Sequence, residues 1–123
     1  MTQDDKDLLL KDLCARLPYG VICKDEYGNV LELNSIDIPN TATFRCSDKT
    51  FWTTDLDKCK PYLYPLSSMT DGQKIEYYKT CKGFKHFMTT KSFDWLNKNH
   101  FDYRGLIPKG LAIDATELNI YWL

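Results

Sequence analysis

At 123 residues the chain has the length of one domain, 1–123, large enough to bury a real core without staples. With 27% charged residues, a mean hydropathy of −0.44 and no apolar run near the ~18 residues a spanning helix needs, a membrane protein is disfavoured. The first residues, Met1 to Asp5, are acidic where a secretion signal is basic, and Leu8-Leu9-Leu10 is too short for its apolar core, so the expected location is cytoplasmic.

Thr2 to Leu17 reads as an amphipathic helix. Leu9, Leu13 and Leu17 fall at i, i+4 and i+8, flanked by Leu10 and Cys14, and make one apolar stripe. Asp4, Asp5 and Asp7 suit the positive N-terminal end of the helix dipole and Arg16 the negative end. Pro18 stops the helix and Gly20 turns the chain. Val21–Lys24 and Val30–Leu33 then flank Asp25-Glu26-Tyr27-Gly28-Asn29, the pattern of a hairpin with a five-residue loop. Ala42–Cys46 and Phe51–Leu56 predict a third and a fourth strand. In the fourth, Phe51, Thr53 and Asp55 alternate with Trp52, Thr54 and Leu56.

Lys60 to Gln73, KPYLYPLSSMTDGQ, divides the chain. Pro61 and Pro65 push the run between them toward extended geometry, placing Tyr62 and Tyr64 on one side and Leu63 on the other. Thr70 and Gln73 stand in capping-box relation, and Asp71 suits the first turn of a helix over about Asp71–Lys82, although Gly72 weakens it. An inner stripe of Ile75, Tyr78 and Cys81 is expected on that helix. Gly83 breaks it, and Phe84, Phe87 and Met88 form an apolar knot. Thr89 or Thr90 caps a last helix over roughly Lys91–Asn99. A turn-rich connector from Phe101 to Gly110 leads through Leu111, Ala112 and Ile113 to an apolar chain end, Asn119 to Leu123, expected to dock on the core rather than form a dimer interface. The fold class is α+β: a small antiparallel sheet of four to five strands packed with an N-terminal helix and a helical C-terminal half.

Signatures of catalysis are missing. There is no nucleophile elbow, phosphate loop, zinc-protease helix or glycine-rich dinucleotide turn. His86 and His100 are the only histidines, and each reads more simply as a packed or surface ring than as a catalyst. Asp55 and Asp57 share a face at i, i+2 and could hold a divalent ion, but a solvated strand end explains them as well. The five cysteines contain no C-x-x-C pair, and Cys46, Cys59, Cys81 and His86 match no zinc spacing, so they read as small apolar fillers. No catalytic residue, metal ligand or cofactor is assigned.

Charge is distributed unevenly. Residues 73–109 hold eight basic and three acidic side chains, a net of +5 inside a chain whose total is −1. Lys74, Lys82 and Lys85 interleave with Tyr77 and Tyr78, a combination that suits stacking on bases while neutralising phosphate. Candidate contact residues are therefore Trp52, Tyr62, Tyr64, Tyr77, Lys82 and Lys85.

Two segments carry a resemblance. Cys59–Thr70, CKPYLYPLSSMT, and His100–Ala115, HFDYRGLIPKGLAIDA, are similar to small proteins of phages and prophages of gut Bacteroides-type bacteria, in which PLSSMT precedes an acidic helix and FDxxGLIxxGLAID follows. The likeness covers roughly residues 55–116, and Gly72 departs from it where that family places an acid. It implies a setting, a phage accessory protein in the host cytoplasm, and carries no residue roles over to this chain. The expected function is a non-enzymatic binder that antagonises a host-defence component, either as an inhibitor of an anti-CRISPR kind or as a sponge for a signalling nucleotide. A nucleic-acid-binding regulator using the lysine-rich half is the alternative, and a small metal-dependent nuclease the minor one. Expected partners are a host-defence protein or ribonucleoprotein, or a nucleic acid or nucleotide, with no membrane; the chain is a monomer or homodimer.

Overall fold

A computed structural model of the chain describes residues 1–37, 40–46, 50–81 and 89–121. The fold is α+β. Helix α1, Gln3–Arg16, starts on the capping box that Thr2 forms with Asp5. Strands β1 (Ile22–Lys24), β2 (Val30–Asp37), β3 (Thr41–Arg45), β4 (Phe51–Asp55) and β5 (Lys60–Pro65) form an antiparallel sheet in the order β4-β3-β2-β1-β5. Helices α2, Asp71–Thr80, and α3, Thr90–Lys98, follow. The expected all-antiparallel sheet is incomplete: β6 (Phe101–Asp102) and β7 (Ile113–Asp114) both add to β5 in parallel, making a mixed sheet of seven strands among the described residues. Two-residue strands are too short to leave a period in the sequence, so Phe101 and Asp102 read as the start of a turn-rich connector.

Leu33, Phe44 and Trp52 lie opposite one another on β2, β3 and β4 and share the face turned to the core. Asn34 is the extra residue of a bulge in β2, after which Ile36 and Ala42 return to that face. Leu9 and Leu13 of α1 pack there with Val21, Cys23, Leu33, Ala42, Phe44, Leu56 and Cys59. A second cluster joins Leu63 of β5 to Leu106, Leu111 and Ala112 beneath Leu8 of α1. The turn carrying that cluster is built by Asp102, whose carboxylate accepts from the N–H groups of Leu106 and Ile107, each at 2.9 Å. Gly105 and Gly110 supply its two left-handed residues, at φ 75° and 73°.

Two local expectations change. Ile75 is 58% exposed, so the stripe expected on α2 reduces to half-buried Tyr78 and buried Cys81. The helix is held instead at its end, where Thr89 Oγ1 donates to the Thr80 carbonyl and Ser92 Oγ lies 3.3 Å from Cys81 Sγ. Arg16, read as a dipole partner, is fully buried. Its Nε donates to Asp12 at 2.8 Å and its Nη2 reaches across to the Phe101 carbonyl at 2.6 Å. Arg104 approaches the same carboxylate at 3.6 Å. The pair thus ties α1 to β6. Removing one member strands a buried charge, so Asp12→Ala should cost about 3–5 kcal/mol, and replacing Asp12 and Arg16 together by Leu and Met should cost much less. Urea denaturation of the three proteins measures both, and equal losses would contradict this role.

Candidate binding surface

The hairpin between β1 and β2 is fastened by Asp25. Its carboxylate accepts from the Tyr27 and Asn29 N–H groups and from Asn29 Nδ2, at 2.8–2.9 Å. Burial works against the charge of Asp25, but these bonds together with Gly28 outweigh it and hold the carboxyl below its usual range. The loop so fixed carries Tyr27 to the side of Trp52, with ring centroids 6.1 Å apart at 75°. Tyr27 is 69% exposed and Trp52 40%. Trp52 points to the core side, yet it stands on the outermost strand, so it forms an aromatic ledge instead of core. On the opposite face of β4, Phe51 is 59% exposed.

Backbone geometry completes this edge. Cys46 donates to the Thr50 carbonyl and Leu56 to that of Asn40, so the hydrogen-bonded pairs between β3 and β4 fall at Phe44–Trp52 and Ala42–Thr54. Phe51, Thr53 and Asp55 consequently turn their N–H and C=O groups outward. Among the described residues no strand pairs with that side of β4.

A second concave feature lies where β1 and β5 part. Their pairing ends at Cys23 and Pro61. Val21 and Asp25 bond toward β2, so Ile22 directs its N–H and C=O the other way. The Tyr121 hydroxyl takes both, accepting from the N–H at 2.7 Å and donating to the carbonyl at 3.1 Å. The chain end therefore docks as expected as far as Tyr121; Trp122 and Leu123 lie outside the described residues. The Tyr121 ring lies on His100 at 3.6 Å and 13°, and Tyr64 stands against it at 6.1 Å. Together with Glu32, Lys98 and Gln73 these rings line a cleft of about 480 Å³.

His100 thus comes into one cleft with Glu32. The ring is covered by Tyr121, makes no hydrogen bond to Glu32, and leaves Nδ1 buried without a partner. Burial, and then the nearby Arg16 guanidinium, lowers its pKa to about 4, so it is uncharged at neutral pH. It also sits at φ 62°, in the left-handed position past the end of α3.

The other candidates fall in separate places. Tyr62 is only 5% exposed and pairs with Ile113, so it is a core residue and not a contact; sequence alternation gave its side of the strand but could not see β7 covering it. Tyr64 is half-buried at the cleft. Tyr77 is half-buried between Tyr78 and Trp95. Lys82, Lys85 and His86, and with them the knot of Phe84, Phe87 and Met88, lie outside the described residues. Asp55 is exposed, and Asp57 pairs with Lys6 at 3.4 Å. Cys59 belongs to the sheet core and Cys81 to the α2–α3 junction, and no group of three potential metal ligands occurs among the described residues. Tyr27 was missed because a tyrosine in a turn carries no periodic signal; the adjacent Asp25…Asn29 loop was the available clue. No family model, curated protein or solved structure matches the chain.

The His100 environment makes a pH prediction. Its folded pKa lies below the value near 6.5 of an unfolded histidine. The unfolded state therefore binds a proton first, and stability falls as pH drops from 6.5 toward 4, by up to about 3 kcal/mol. Asp25, held below its ordinary 3.8, acts only at still lower pH. His100→Asn, which keeps the left-handed backbone, should flatten urea-derived stability between pH 6.5 and 4 by about one proton. An unchanged slope would rule out His100 as the group responsible.

Proposed function

We propose that this chain is a non-enzymatic binding protein that antagonises a host-defence protein or ribonucleoprotein in the phage setting its resemblance implies. The single observation that carries the reading is the β4 edge: outward backbone groups on Phe51, Thr53 and Asp55, bordered by the exposed rings of Phe51, Trp52 and Tyr27. Aromatic rings bring large contact area at small entropic cost, and backbone groups on an open edge supply main-chain hydrogen bonds to a partner. The state of His100 supports a non-catalytic role, since a ring covered by tyrosine and short of a carboxylate partner lacks the pairing that activates a nucleophile.

The test uses cells in which an RNA-guided nuclease targets an incoming plasmid. Expression of the chain should raise transformation by an order of magnitude. The Tyr27→Ala/Trp52→Ala variant should lose most of that protection while still unfolding in one cooperative thermal transition, since Tyr27 is 69% exposed and Trp52 stands on the outermost strand. Protection that survives the double substitution removes this surface. Absence of protection by the unaltered chain counts against this class of target, and a steep fall of DNA or RNA affinity with salt would instead favour the nucleic-acid reading.

A further inference from the structure

We infer that Lys24 and Lys60 form a site for a small dianion, a phosphate monoester by chemical class, on the face of the sheet turned away from α1. The two residues stand directly opposite one another where β1 meets β5. Pro61 has no N–H to donate, so Lys24–Lys60 is the hydrogen-bonded pair of this short ladder, with Cα atoms about 5.5 Å apart and both side chains on one face. Cys23 and Pro61, one step along, are fully buried on the other face, where Cys23 packs with Leu9 and Leu13 of α1. Like charges directly opposite one another on a sheet are destabilising. No neighbouring strand among the described residues relieves this pair. On β2 the residue across from Lys24 is Val30, and Glu32, next on the same face, lies against Gly20. On the far flank of β5, β7 brings Ile113. Among the described residues neither lysine makes an ion pair.

The two exposed lysines share a cavity of about 270 Å³ with Lys58, Glu26, Asp25 and Ile113. Both acids there are already engaged. Glu26 pairs with Lys58 at 3.5 Å, and Asp25 accepts from the Tyr27 and Asn29 N–H groups and from Asn29 Nδ2. Lys24 and Lys60 thus leave two positive charges facing one space, the complement of a single dianion. A phosphate monoester brings about two negative charges at neutral pH and three acceptor oxygens in one compact group. The cavity stands at the small end of the range for ligands, which suits that group and little of the molecule that bears it. A nucleic-acid strand suits it less, because its phosphates are single charges strung along a line and these two amines face one space. The site lies two strands away from β4 and does not rest on the proposed function.

Titration of the isotope-labelled full chain with methyl phosphate, followed by amide NMR slightly above neutral pH at fixed ionic strength, should give saturable shifts at Lys24, Lys58 and Lys60. Dimethyl phosphate, the same group with a single charge, should bind about tenfold more weakly. Lys60→Gln should weaken methyl phosphate about tenfold, whereas Lys74→Gln, which removes the same charge from an exposed position on α2, should leave it unchanged. Lys60→Glu sets opposite charges across the two strands, so it should abolish binding while the urea midpoint of the free protein holds or rises. Absence of a saturable shift, equal affinity for the two esters, or equal weakening by Lys60→Gln and Lys74→Gln overturns the inference. A lower urea midpoint for Lys60→Glu overturns it too, since the two lysines would then not be in conflict.

Discussion

The buried ion pair of Asp12 and Arg16 is the constraint on which the rest of the structure depends. Both side chains are shut away from water, and the guanidinium spends one nitrogen on the Phe101 carbonyl, 85 residues along the chain. Desolvating two charges is costly, and a bidentate contact with a third partner is what makes such burial tolerable. The geometry it imposes is specific. Helix α1 must lie where its last turn meets β6, so its leucines cover the antiparallel sheet while Leu8 reaches the second cluster. Arg16 also lies over the Tyr103 ring, which stands against Phe93 of α3. One side chain thereby brings the first helix, the added strand and the last helix to common positions.

The segments Cys59–Thr70 and His100–Ala115 meet in this arrangement. Tyr62 and Leu63 pair with Ile113 and Asp114, and Tyr64 and Pro65 pair with Phe101 and Asp102. Asp102, Gly105 and Gly110 shape the turn that sets Leu106 and Leu111 against Leu63. These two segments are thus accounted for by architecture: they form a strand and the loop that docks on it. Chemistry directed at a protein partner has to be sought elsewhere, and the β4 edge, outside these segments, is where exposed rings and outward backbone groups coincide.

Two aromatic groups of opposite character follow from the same sheet. Near β5 the rings turn inward: Tyr62 beneath β7, Tyr64 against Phe101 and Tyr121, and Tyr121 on His100 with its hydroxyl closing the gap left by a departing strand. Burial pushes the Tyr121 phenol up, so it remains a neutral donor and acceptor for Ile22. Near β4 no further strand covers the rings, and Trp52, although on the core side, stays half in solvent. Position in the strand order, more than residue type, separates packed aromatics from exposed ones.

Local physics was readable from the residues themselves. The capping box of Thr70, the N-cap of Thr89, the loop between β1 and β2, and the alternation along β4 and β5 each depend on neighbours within a few positions, and each stands close to where the sequence placed it. What the sequence by itself determined was therefore the elements and the side of each strand a residue takes. Tertiary structure alone decided the rest. Tyr62 became core because a two-residue strand from 51 positions away covered it, Arg16 became core because Asp12 and a distant carbonyl met it, and Tyr27 joined Trp52 because two hairpins lie side by side. Such outcomes rest on pairings between distant segments, whose free energy is set by closing long loops around mutually compatible surfaces and leaves no period in a one-dimensional string.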